Sequence, residues 1–131
     1  MGKINVAIVD DNERMVNLLE DILKDDKDIE IVGKADNGID ALTIIKEKTP
    51  DVVLLDIIMP KLDGLGVMEK VRKSSDMKKT PSFIVITAIG QEGITENAFL
   101  LGASYYIMKP FDNNMILSRI KQIKGDVHNK L

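Results

Sequence analysis

Short runs rich in valine and isoleucine alternate along this chain with longer segments whose apolar residues recur every three or four positions. The short runs predict strands over Ile4 to Val9, Ile29 to Ala35, Val52 to Leu55, Phe83 to Ile86 and Tyr105 to Met108. The longer segments predict helices over Glu13 to Lys24, Ile39 to Lys48, Leu65 to Lys73, Gly93 to Leu101 and Asn113 to Lys124. Near-continuous apolar strands are buried on both faces, and strands alternating with helices imply right-handed βαβ units. The pattern therefore predicts an α/β fold, a parallel five-stranded sheet between two layers of helices.

Turn residues punctuate the pattern where it changes period: Asn37-Gly38, Thr49-Pro50, Asp63-Gly64, Thr80-Pro81 and Leu101-Gly102. No internal repeat or low-complexity linker interrupts it. After the last helix, Gly125 reads as a stop, and Asp126 to Leu131 as a polar tail or the start of a linker. The single histidine, His128, falls in that tail and reads as solvated.

At 131 residues, 44% hydrophobic and 30% charged, the chain has material for one globular domain with an ordinary core. A net charge of -3, with lysine and arginine scattered, gives no basic field for a nucleic-acid backbone, so direct binding of nucleic acid is not expected. No apolar run approaches the roughly 20 residues that span a bilayer, and the first residues lack the long apolar block of a secretory signal, so no membrane association is expected. The absence of cysteine excludes a disulfide framework and suits the cytoplasm.

The chemistry lies at the ends of the predicted strands. Asp10 and Asp11 follow the first, Asp56 the third, Thr87 the fourth and Lys109 the fifth. Taken alone, Asp10-Asp11-Asn12 before a helix is a capping sequence, Asp56 a turn residue, Thr87 a strand former and Lys109 a strand end before proline. Convergence changes the reading, because the ends of the first and third strands of a doubly wound sheet are neighbours at its switch point. Two carboxylates about 5 Å apart repel by roughly 3 kcal/mol at an effective dielectric near 20, and a third adds to this. A hard divalent cation offsets that repulsion, and Mg²⁺ suits an all-oxygen donor set better than calcium, which lacks its 12-residue loop, or zinc, which lacks Cys and His ligands. A carboxylate beside such an ion is also a nucleophile toward phosphorus, with Lys109 and Thr87 suited to stabilise charge on the phosphoryl group.

Val9-Asp10-Asp11-Asn12, Leu55 to Pro60 with Asp63-Gly64, Thr87-Ala88 and Lys109-Pro110-Phe111 together resemble the receiver domain of two-component response regulators, from Ile4 to about Lys124. More narrowly, Asp56 to Leu65, Gly90-Gln91-Glu92 and Leu101 to Asp112 are similar to the receivers of transcription factors that initiate sporulation in endospore-forming bacteria. The resemblance implies a flavodoxin-like fold with strand order 2-1-3-4-5. It implies residues 1 to 124 as the receiver and 125 to 131 as a tail or linker to an effector domain. Asp56 would be the phosphoacceptor. Asp11, Asp56 and the Ile58 carbonyl would bind Mg²⁺ directly, and Asp10 through water. Lys109, preceding a cis proline, would hold the phosphoryl group, while Thr87 swings toward it and Tyr106 packs inward behind. The partner would be a sensor histidine kinase or histidine phosphotransferase, and the output face helix 4, strand 5 and helix 5, with homodimerisation on phosphorylation. Catalysis would be confined to the chain's own phosphorylation and dephosphorylation.

Two further features bear on this. Ile58 and Ile89 stand where many receivers carry polar residues that admit the hydrolytic water. They either pack under loops or exclude water and prolong the phosphorylated state. On the first helix, Met15, Val16, Leu18, Leu19, Ile22 and Leu23 cover an arc of roughly 160°, wider than a surface helix needs. Its first turns, with Arg14, Met15 and Leu18, are the candidate docking surface for the phosphoryl donor, unless the whole arc is core. Rival readings are a freestanding relay receiver and a phosphatase of the haloacid dehalogenase type, which wants Asp-x-Asp where this chain has adjacent aspartates. A flavodoxin-like FMN carrier is a third, disfavoured by the repulsion of an acidic first loop for the cofactor phosphate.

Overall fold

A computed structural model describes residues 2–88 and 92–129. In chain order the elements are β1 (Ile4–Val9), α1 (Glu13–Lys24), β2 (Ile29–Ala35), α2 (Gly38–Lys48), β3 (Val52–Asp56), α3 (Gly64–Lys73), β4 (Ser82–Thr87), α4 (Glu92–Leu100), β5 (Ala103–Met108) and α5 (Asn113–Asn129). The five strands form one parallel sheet in the order β2-β1-β3-β4-β5. This is the flavodoxin-like order that the receiver resemblance implies, and the parallel five-stranded sheet that the alternating pattern predicts.

Alternation along the strands divides the core in two. Ala7, Val9, Val53, Leu55 and Val85 face α2, α3 and α4, where they meet Ala41, Ile45, Val67, Met68 and Ala98. Val6, Ile8, Leu54, Ile84 and Ile86 face the other way and meet Leu19 and Leu23 of α1 and Ile116 and Ile120 of α5. Both faces of β1, β3 and β4 are thus apolar, which is why those strands read as unbroken hydrophobic runs.

Side-chain caps set where the helices begin. Asn12, Asn37 and Asp63 accept from the amides of Met15, Asp40 and Gly66, so α2 starts at Gly38 and α3 at Gly64, each one residue before the sequence expectation. The larger correction is at the end of the chain. Gly125 does not stop α5, which continues to Asn129 and takes in the range containing His128, so residues 125–129 of the expected polar tail are helical. One glycine costs a helix only about 1 kcal/mol relative to alanine, too little to end it alone.

Candidate functional site

Strand register brings the predicted site residues to one edge. Val9 pairs with Leu55, so Asp10 and Asp56, each one residue further on, leave the sheet side by side. Asp56 pairs with Ile86, the residue before Thr87, and Thr87 pairs with Met108, the residue before Lys109. The Lys109 amide donates to the Thr87 carbonyl at 2.7 Å, and the Lys109-Pro110 peptide is cis, as expected. Four neighbouring strands therefore present their polar ends along the carboxyl edge, with the acids at the switch point between β1 and β3.

The acids converge as anticipated. One carboxylate oxygen from each of Asp10, Asp11 and Asp56 lies within 4.8 Å of the others. Asp10 and Asp56 are buried and Asp11 is exposed. Capping of α1 falls to Asn12, which leaves Asp10 and Asp11 outside that role. Asp10 Oδ1 accepts from the Asn12 amide at 2.9 Å. Its Oδ2 is buried and meets no donor, and a proton shared with Asp56, a water or a bound cation would satisfy it. Burial, followed by the charge of Asp10, pushes the Asp56 carboxyl up from 3.8 to about 7, against an opposing pull from Lys109. Burial likewise raises Asp10. An all-oxygen cluster with one orphaned buried oxygen suits a hard divalent cation.

The loop after Asp56 is tightly closed. Ile57 and Met59 are buried in the core, while the Ile58 side chain between them is 55% exposed, so it does not pack under the loop. Ile89 lies outside the described residues. The Gly64 amide donates back to the Ile57 carbonyl at 2.6 Å, and a β-carbon at Gly64 would stand 2.6 Å from the Asp56 carbonyl oxygen. Only glycine lets α3 begin this close to the end of β3.

Thr87 is buried at the edge of the sheet. Tyr106 is not packed inward: it is 47% exposed, with its ring edge-on to Phe99 of α4 at 5.4 Å and 84°. On α1, Leu19, Ile22 and Leu23 are buried, Met15 and Val16 pack at the core margin, and Leu18 and Arg14 are exposed. The wide arc is thus partly surface. Beside the acids lies a cavity of about 480 Å³ lined also by Glu13, Asp36 and Asp40. Sequence reasoning missed Asp36 and Asp40 because they belong to the second βα turn and approach β1 only through the sheet, and Glu13 because it reads as an ordinary acid in the first turn of α1.

A family model for the response regulator receiver domain matches residues 6–121. The chain belongs to that family. Among solved structures, this receiver is similar to the response regulator domain of Thermotoga maritima CheB, with 30% identity and a TM-score of 0.81 over 92% of this chain and 96% of that one. The signal receiver domain of the putative response regulator NarL from Mycobacterium tuberculosis is 28% identical, with a TM-score of 0.84 over 95% and 99% of the two chains. A CheX-CheY complex with BeF₃ and Mg²⁺ from Borrelia burgdorferi is 31% identical, with a TM-score of 0.80 over 92% of this chain and 88% of that one. The buried acidic cluster is therefore the acidic cluster of a response regulator receiver. Among the described residues, no helix is long and apolar enough to cross a membrane.

Proposed function

We propose that this receiver is a phosphorylation switch that takes a phosphoryl group from a phosphohistidine of a kinase or phosphotransferase onto Asp56, with Mg²⁺ bound beside it. The observation that carries this reading is the gathering of three carboxylates at the switch point, two of them buried and one pushed to about 7. The ligands would be Asp11, Asp56 and the Ile58 carbonyl, with Asp10 acting through water. Mg²⁺, when bound, supplies the positive charge that offsets the acids and the phosphoryl oxygens.

The chain's own residues do the rest. An Asp56 carboxylate oxygen attacks phosphorus as the P–N bond to the donor imidazole breaks. The ring nitrogen leaves with the electron pair of that bond, and the resulting imidazolate takes a proton from solvent to become neutral imidazole. Lys109 and the Thr87 hydroxyl stabilise charge on the transferred group. No external substrate is turned over, so the chain acts as a switch rather than an enzyme. Thr87 then moves toward the phosphoryl group and Tyr106 leaves Phe99 to pack inward, altering the face of α4, β5 and α5 and favouring pairing of two receivers. Exposed Leu18 and Arg14, with Met15 at the core margin, support α1 as the donor's docking surface.

The narrower reading, control of a sporulation transcription factor in the cytoplasm, is supported by the segments Asp56 to Leu65 and Leu101 to Asp112. The deciding experiment is a thermal-shift titration with beryllofluoride. A joint requirement for beryllofluoride and Mg²⁺, lost in Asp56→Asn, supports the phosphoacceptor assignment, and an unaltered shift in that variant refutes it.

A further inference from the structure

The loop between β3 and α3 is held from outside its own segment. The Leu62 amide donates to the Pro60 carbonyl at 2.7 Å, and Lys61 between them has φ +68°, the strained form of the three-residue γ-turn. Such a turn persists only where its surroundings enforce it. The enforcing contacts converge on Leu62. A β-carbon at Gly38, the first residue of α2, would stand 2.1 Å from the Leu62 carbonyl oxygen and 2.7 Å from its Cβ. A β-carbon at Gly66 on α3 would stand 2.4 Å from Leu62 Cδ1. Leu62 is therefore seated in a notch between two helices, against bare α-carbons on both sides.

We propose that Gly38 is a positioning residue for divalent-cation binding: the Leu62 backbone seats against its bare α-carbon, and that contact holds the Asp56 to Asp63 loop where the Ile58 carbonyl serves as a ligand. The proposal rests on the reading of Asp10, Asp11, Asp56 and the Ile58 carbonyl as the cation site. Ile57 and Met59 fix the first half of the loop through their buried side chains. The second half is fixed by the Leu62 seat and by the Gly64 amide bonded to the Ile57 carbonyl. A side chain at residue 38 meets main-chain atoms, so the loop must give by about an ångström. Mg²⁺ tolerates little displacement, since it demands near-octahedral oxygen ligands at about 2.1 Å. α2 contributes no ligand, yet its first residue governs the geometry of one.

A control exists in the same layer. A β-carbon at Gly33 on β2 would stand 2.7 Å from Ile44 Cγ2 of α2, a shallower clash, against a side chain instead of backbone, that touches no part of the loop. Mg²⁺ affinity is measured calorimetrically on the full chain, with thermal unfolding as a separate readout, for the parent, Gly38→Ala, Gly33→Ala and Asp11→Asn. Both glycine variants are expected to lose stability, but only Gly38→Ala is expected to lose Mg²⁺ affinity, by about tenfold or more, the range typical of residues that support metal ligands. Binding by Gly38→Ala as tight as the parent's, or an equal loss in Gly33→Ala, overturns the proposal. Should Gly38→Ala not fold, Leu62→Gly removes the Cβ that rests against Gly38 and loosens the seat without adding an atom. A severalfold loss of affinity there supports the proposal, and parental affinity overturns it. A parent that binds no Mg²⁺, or that binds it as well with Asp11→Asn, instead overturns the cation site on which the proposal rests.

Discussion

Asp56 sits where burial and the nearby charge of Asp10 both work against its ionisation, and this fixes how the metal-free chain responds to pH. Its folded-state value, about 7, lies above the ordinary 3.8, so the folded chain holds a proton there that the unfolded chain has lost. Without divalent cation, stability therefore falls as pH rises from about 4 to about 7, then levels off as far as this group is concerned. Excess Mg²⁺ is expected to oppose the fall, which melting curves taken across that window with and without the ion would register. Asp56→Asn removes the charge at its source and is expected to stabilise the metal-free chain by about 2 kcal/mol at pH 8, measured by urea unfolding. Ile58 carries a second residue-scale consequence. Its side chain stands exposed beside the acids, where a polar group would help a water approach. The double variant Ile58→Asn with Ile89→Glu is expected to shorten the phospho-Asp56 half-life severalfold, and an unchanged half-life would show that neither isoleucine excludes water.

At the scale of elements, β1, β3 and β4 are legible because burial on both faces leaves little in them but valine, isoleucine and leucine. The site acids were legible for a related reason. A carboxylate directly after such a run must lie at the sheet's edge, and parallel topology puts the ends of β1 and β3 together. The contacts that shape the loop were not legible. Asp63-Gly64 reads as an ordinary turn, and nothing local reveals that Gly64 backs onto the Asp56 carbonyl or Gly38 onto Leu62. The end of α5 is not legible either, because Gly125 reads as a terminator whereas the helix carries through it. Tyr106 shows a further limit: sequence identifies the position but not which way its ring faces. Here the ring rests on Phe99 with nearly half its surface open. Activation by beryllofluoride and Mg²⁺ is expected to lower the quenching of Tyr106 fluorescence by acrylamide severalfold in a Tyr105→Phe background. Unchanged quenching would separate Tyr106 from the switch.

For the whole molecule, the sheet is a rigid frame that delivers four polar strand ends to one edge, and the same frame connects that edge to the face of α4, β5 and α5 through β4 and β5. Arg72 of α3 donates to the Leu100 carbonyl at 3.2 Å, anchoring the last turn of α4, while its first turn follows the segment beginning at Thr87. A change at the acids thus has a short route to the outer face. All of it depends on Asp56 becoming phosphorylated. The most direct measurement is peptide mass mapping of the chain after incubation with acetyl phosphate, with Mg²⁺ or with EDTA. A single acyl phosphate is expected, on Asp56, formed only with the divalent cation and absent from Asp56→Asn. Phosphate on another residue of the native chain, or equal labelling of Asp56→Asn, would contradict it.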